Sequence, residues 1–262
     1  MHPILAGLLA SLTAGLATPL GALPILFVKS IPQRIQGILL GFGGGVMLAA
    51  TAFSLLVPGI AAALDQGLSN VAAGSVMVAG VLLGGAFLEI AHRYFPHEHF
   101  FKGVEGNNVA HLARTWLFVI AITLHNFPEG LAVGVVYGSL DGSVEGSAEG
   151  LGVTIGIALQ NMPEGLVVAT ALVGQGYSAA YALGISLLTG LVEPIGGVIG
   201  ASVVSVAAPL LPWGMAFAAG AMLFVISDEI IPESHRQGQE REGTLGIMIG
   251  FVLMLLLDVT FG

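Results

Sequence analysis

The sequence predicts an all-α integral membrane protein, a bundle of eight transmembrane helices. Three observations carry that prediction. Of 262 residues, 55% are hydrophobic and only 9% are charged, where a soluble domain carries about 25% charged residues. At a mean hydropathy of +0.94, the apolar residues fall in long runs, supplying about eight of the roughly 20-residue stretches a helix needs to cross a bilayer. The 39 glycines, among many Ala and Ser, are the small residues that let helices pack closely in lipid. A formal net charge of -9 with no basic surface against it argues against nucleic acid as a partner. There is no cysteine, so any metal must be held by His, carboxylate, amide, thioether or water.

The first run spans about residues 3–28. It lacks the basic segment and cleavage site of a signal peptide and reads as a retained helix. Lys29 to Arg34, with Pro32, makes a short loop before a second run of about 36–63, which contains Met47, Ser54 and Pro58. Asp65 to Asn70 is a polar turn, and the third helix, about 71–93, ends in Glu89, His92 and Arg93. The most polar connection follows at 94–111, with His97, Glu98, His99, Lys102, Glu105 and His111. Helix four covers about 112–137, and an acidic loop with Asp141, Glu145 and Glu149 leads to helix five at about 150–174. A turn at Gln175-Gly176 precedes helix six, about 177–203, with Glu193-Pro194 in its middle. Helix seven, about 208–230, finishes in Ser227-Asp228-Glu229. A hydrophilic loop from Glu233 to Glu242 then leads to helix eight, about 244–261, with Asp258 near its end. All of this reads as one transmembrane domain over 1–262.

The basic residues test the helix count. All 7 of them, Lys29, Arg34, Arg93, Lys102, Arg114, Arg236 and Arg241, fall in or beside the loops after helices one, three and seven. With eight spans these loops share one side, which the positive-inside rule makes cytoplasmic. Both termini are then expected outside, in a multi-pass protein of the cell's inner (plasma) membrane.

One short string appears twice inside these helices: His125-Asn126-Phe127-Pro128-Glu129-Gly130 and Gln160-Asn161-Met162-Pro163-Glu164-Gly165. In each copy the first and fifth residues are four apart and share a helix face. Proline removes a backbone N–H, so Pro128 and Pro163 should orphan the carbonyls of Leu124 and Leu159 and break each helix locally. Glu129, Glu164 and Glu193 all lie mid-helix, away from ends where a side chain can reach water. A lone carboxyl there is often protonated and bonded to a neighbouring helix. Three of them, two in a repeated motif beside His and Asn, point to function instead. Carboxylate, imidazole and amide oxygen together suit a borderline divalent cation such as Zn²⁺. Consecutive helices run antiparallel, so packing the two copies face to face relates them by a pseudo-twofold axis in the membrane plane, as in secondary transporters with discontinuous helices.

These residues, with Glu193-Pro194 in the following helix, resemble the ZIP (Zrt-/Irt-like) family of divalent metal transporters, and most nearly its bacterial GufA-type members. The resemblance covers essentially the whole chain. It implies a 3+2+3 bundle in which helices 1–3 and 6–8 form an inverted repeat around helices 4 and 5. It also implies a binuclear metal centre, with transport by rocking or elevator alternating access. Carried over by position, a first metal site would use His125, Glu129, Gln160 and Glu164, with Met47 as a thioether ligand. A second would use Asn126 and Glu193 and share Glu129 and Glu164. Asn161 is a departure, because some relatives carry Asp there, and losing that charge should weaken the second site. Met47 is equally compatible with simple packing.

The expected cargo is zinc, with Cd²⁺, Fe²⁺, Mn²⁺ and Co²⁺ open, moving into the cytoplasm; no enzymatic activity is expected. Ser54 and the outer acids Asp65, Asp141, Glu145 and Glu149 would line or charge the entrance. His92, His97, Glu98, His99, His111 and His235, near Glu89, Asp228, Glu229 and Glu233, would form an exit. Asp258 suits an entrance or a capped helix end. A metal-selective channel remains an alternative, since both need a polar path with weak binding. A zinc hydrolase built on His125 and Glu129 is a remoter one, with no H-E-x-x-H helix to support it. Small-residue helix faces permit a homodimer.

Overall fold

A computed structural model describes residues 2–28, 30–94, 97–99, 103–105, 114–139, 144–235 and 238–261. It contains eight helical segments long and apolar enough to cross a membrane: spans 1 (Pro3–Leu26), 2 (Gln33–Asp65), 3 (Asn70–Ala91), 4 (Phe118–Ser139), 5 (Gly150–Gly174), 6 (Ala179–Val206), 7 (Ala208–Ser234) and 8 (Glu240–Phe261). Spans 4 and 5 are central: 78% and 67% of their apolar stretches are buried, against 28% and 17% for spans 3 and 8. The connection before span 4 contains a short antiparallel hairpin that pairs His97–His99 with Gly103–Glu105.

Packing follows an inverted symmetry. Span 2 lies along span 8 as span 7 lies along span 3, and span 1 lies along span 5 as span 6 lies along span 4. Exchanging 1 with 6, 2 with 7, 3 with 8 and 4 with 5 maps these contacts onto themselves. The resulting pairs build two units, spans 1, 4, 5 and 6 and spans 2, 3, 7 and 8. Within each unit glycines bring backbones together: the hydrogen faces of Gly165 and Gly130 meet the backbones of Thr18 and Glu193, and those of Gly41 and Gly84 meet the backbones of Gly243 and Phe217. Across the seam, Gly43 and Gly214 instead face side chains, those of Glu164 and Gln160 and of Val135 and Val204. Val204 belongs to span 6 and Val135 to span 4, so both Gly214 contacts cross the seam.

The helix irregularities differ from expectation. Both motif helices, Arg114–Ser139 and Val144–Gly174, run unbroken through Pro128 and Pro163. Proline's φ suits a helix, and a single missing N–H is tolerated where neighbouring helices hold the segment. The wide turns lie instead in spans 2 and 7, which each carry a π-helical turn, Ala50–Leu56 and Ile226–Ile230. A proline follows each, Pro58 and Pro232. Neither can donate back to the carbonyl four residues earlier, which favours a locally wider register at symmetry-related places. Span 6 is interrupted between helices Ala179–Gly190 and Glu193–Val206, so Glu193 opens a new helix with Pro194 in its first turn, where proline is at home. Span 7 also runs on to Ser234 and span 8 begins at Glu240, which shortens the loop expected between Glu233 and Glu242.

Candidate metal-binding site

The two motifs put their polar side chains into the bundle's centre. His125, Asn126 and Glu129 on span 4, Gln160, Asn161 and Glu164 on span 5 and Glu193 on span 6 are all buried, none more than 1% exposed. The four-residue spacing within each motif sets the first and fifth residues on one helix face. Glu129 lies in the electrostatic field of Glu164 and Glu193 and beside Gln160. Glu164 in turn feels His125 and Glu229. The carboxylate of Glu193 sits at the N-terminus of its half-helix, where the helix dipole favours negative charge.

Two contacts order this cluster. His125 Nε2 stands 2.7 Å from Glu229 Oε2, across the seam between the two units. Asn161 Nδ2 donates to Glu193 Oε1 at 2.6 Å and to the carbonyl of Ala14 at 2.9 Å. Other polar atoms have no hydrogen-bond partner among the described residues: His125 Nδ1, both amide atoms of Asn126 and Gln160, both oxygens of Glu129 and Glu164, Asn161 Oδ1 and Glu193 Oε2. Burying polar groups without partners is costly, and native proteins hold few such groups. Most of these atoms are acceptors, and a cation can satisfy several acceptors at once. Yet among the described residues no three His, Asp or Glu side chains converge in the geometry of a metal site. Chelation by three such groups would therefore require side-chain rotation within the cluster.

Met47 is fully buried and packs in the apolar core with Ala14 and Met222. It also lies one helical turn beyond Gly43, at which an added Cβ would stand 3.6 Å from Glu164 Oε1, and so shares the helix face turned toward the motif.

The outer and inner candidates separate. Ser54, 2% exposed, donates to Asp258 Oδ1 at 2.9 Å, joining spans 2 and 8. Glu89 pairs with Arg93 at 2.8 Å on the exposed face of span 3, and Asp65 is exposed. His235 is near Thr244, 3.2 Å away. Lys29, Lys102, His111, Asp141 and Arg236 lie outside the described residues, as do the side chains of His92, His97, Glu98, His99, Glu105, Arg114, Glu145 and Glu149. Glu229 is the residue whose place the sequence did not reveal. Read as part of an inner rim, it is 9% exposed and reaches the motif from the π-helical turn of span 7. The available signal was Pro232 three residues on, since π turns cluster at functional sites.

The chain is similar to known proteins over nearly its whole length. A family model described as the ZIP zinc transporter matches residues 97–258. The chain is 50% identical over 257 residues to the zinc transporter GufA of Myxococcus xanthus, covering 98% of this chain and 99% of that one. It is 44% identical over 256 residues to the zinc transporter ZIPB of Bordetella bronchiseptica, covering 94% of this chain and 78% of that one. A zinc transporter ZupT of Xanthomonas axonopodis is 31% identical over 269 residues, covering 99% and 96%.

Proposed function

Because the chain belongs to the ZIP family of zinc transporters, we propose that it carries divalent cations, zinc foremost, through the buried cluster and into the cytoplasm. The family is one of transporters rather than enzymes, which removes the hydrolase alternative. One observation carries the choice of site: unpartnered carboxylate, imidazole and amide atoms sit at matched positions of two antiparallel motif helices in the bundle's centre. His125, Glu129, Gln160 and Glu164 would bind the ion, with Met47 as a thioether donor. The second position that the family resemblance implies, at Asn126 and Glu193 with Glu129 and Glu164 shared, would require Glu193 to leave the hydrogen bond it accepts from Asn161. The cluster's hard oxygen and borderline nitrogen donors would also admit Cd²⁺, Fe²⁺, Mn²⁺ or Co²⁺, with geometry rather than affinity order setting the preference.

The packing supports alternating access. The unit of spans 1, 4, 5 and 6 carries every candidate ligand except Met47, and its backbone contacts are mostly internal. Spans 2, 3, 7 and 8 meet it through side chains at Gly43 and Gly214, a seam that permits rocking or sliding. The basic loops set the cytoplasmic side and leave the termini outside.

Radioactive Zn²⁺ flux into liposomes tests the reading. Saturable uptake is expected, and Glu164→Ala should reduce it by at least about 100-fold, beyond the roughly 10–100-fold cost of losing an outer-shell partner. Undiminished uptake in that variant would make the motif structural, and flux proportional to the gradient would favour a channel.

A further inference from the structure

We propose that Asn161 acts as a clasp rather than a metal ligand, holding Glu193 against span 1 so that the centre binds one divalent cation per chain. The proposal rests on the metal-binding reading above and adds the role of one residue and a stoichiometry.

Asn161 is completely buried, and its orientation is fixed by its neighbours. The carbonyl oxygen of Ala14 can only accept a hydrogen bond. The amide atom 2.9 Å from it is therefore the nitrogen, not the oxygen. The second hydrogen of that nitrogen goes to Glu193 Oε1 at 2.6 Å. Both donors of the amide are spent, on spans 1 and 6. Oxygen and nitrogen diverge from the same carbon, so Asn161 Oδ1 points away from the carboxylate that its nitrogen holds. A cation shared by Asn161 Oδ1 and Glu193 Oε1 would need the amide turned over. That would leave the buried Ala14 carbonyl without its donor, the costly half of any exchange of hydrogen bonds.

The repeat makes the point sharper. Asn126 occupies the same motif position on span 4, is equally buried, and has neither amide atom partnered among the described residues. Two asparagines related by the inverted symmetry thus do different work. Asn126 keeps its oxygen available, whereas Asn161 supplies two N–H groups where a second positive charge would otherwise be needed beside Glu193. Glu193 Oε2 has no hydrogen-bond partner among the described residues, but half of that carboxylate is already engaged.

An Asp at 161 reverses the situation. It would set a carboxylate against the Ala14 carbonyl and Glu193, three acceptors with no donor among them. A cation is the species that reconciles them. Asn161→Asp should therefore convert the clasp into a ligand and admit a second ion.

The test counts zinc on purified protein in detergent after equilibrium dialysis, taking the zinc lost on Glu164→Ala in each background so that surface histidines cancel. The wild type should lose one zinc per chain and Asn161→Asp two. Zinc should also raise the melting temperature of Asn161→Asp more than that of the wild type, because the metal-free variant carries the unrelieved repulsion. Two zincs in the wild type, or one in Asn161→Asp, overturns the proposal. If Asn161→Asp folds only when expressed and purified in zinc, that dependence supports the clasp. Glu193→Gln, whose side-chain oxygen can still accept from Asn161, provides a second variant. It should keep one zinc with affinity within threefold of the wild type, and loss of the ion there would make Glu193 a ligand and overturn the clasp. If Glu164→Ala loses no zinc relative to its parent in either background, the metal-binding reading itself is refuted.

Discussion

His125 has two ring nitrogens, and the fold treats them differently. Nε2 stands 2.7 Å from Glu229 Oε2, an ion-pair contact not aligned as a hydrogen bond, while Nδ1 has no hydrogen-bond partner among the described residues. Histidines that bind metals commonly give their other nitrogen's proton to a carboxylate, which fixes the tautomer and makes the ring a better ligand. In the proposed site Glu229 would take this role, and Nδ1 would be left to meet the ion. Glu229→Gln should weaken zinc binding by about 10–100-fold with little change in fold, as followed by zinc titration in detergent. Unchanged affinity would reduce Glu229 to a packing neighbour. The motif residues were legible in the sequence because a Glu inside an apolar run is conspicuous. Glu229 was not, because it follows Asp228 at the end of such a run. Its burial comes from a π-helical turn and from four further residues of helix, Ile231–Ser234. A pattern search at 3.6 residues per turn does not register that shift.

At the scale of the element, span 2 carries Gly43-Gly44-Gly45, three consecutive residues that face three different neighbours. Successive helix positions point about 100° apart. A Cβ on Gly43 would be in ordinary contact with Glu164 Oε1 at 3.6 Å. On Gly44 it would press on the side chain of Ile230 at 2.8 Å, and on Gly45 it would strike the carbonyl of Ile247. Substitutions should therefore separate function from stability. Gly45→Ala drives a methyl into backbone and should cost about 1–3 kcal/mol by overpacking, lowering the melting temperature in detergent. Gly43→Val brings its Cβ no closer than 4.0 Å to backbone, at the Gln160 carbonyl, but fills space next to the Glu164 carboxylate. It should retain the wild-type melting temperature and lose zinc uptake by about 10–100-fold. If the two variants behave alike, the glycines serve only close packing. Helix positions were largely legible, since long apolar runs and polar loops mark them directly. What each glycine faces was not, because it depends on which helices touch. The prolines depart from expectation for a related reason: Pro128 and Pro163 sit in buried helices that run unbroken, whereas Pro58 and Pro232 follow the widened turns.

For the whole molecule, eight spans were legible from hydropathy, and the positions of the basic residues agreed with that number. Resemblance to the family implied the inverted repeat, and the packing bears it out. The division into two units cuts across the 3+2+3 order, because spans 1 and 6 join 4 and 5 while spans 2 and 3 join 7 and 8. Only contacts between distant segments disclose that partition. If transport moves one unit against the other, a covalent bond across the seam should stop it and a bond within a unit should not. The chain has no cysteine, so introduced pairs report cleanly. Val135 on span 4 and Gly214 on span 7 face each other across the seam, with a Cβ on Gly214 placed 3.4 Å from Val135 Cγ2. Within the second unit, a Cβ on Gly37 would lie 3.2 Å from that of Gln239; the seam pair is in side-chain contact, and the second pair is near the roughly 3.5–4.5 Å Cβ separation of a disulfide. Oxidising Val135→Cys/Gly214→Cys should abolish Zn²⁺ flux, and reduction should restore it. Oxidising Gly37→Cys/Gln239→Cys should leave flux close to that of the reduced protein. Zinc binding to the oxidised seam variant should persist, because neither residue belongs to the cluster; flux that continues through a fully formed seam disulfide would mean that the ion crosses without movement of the two units.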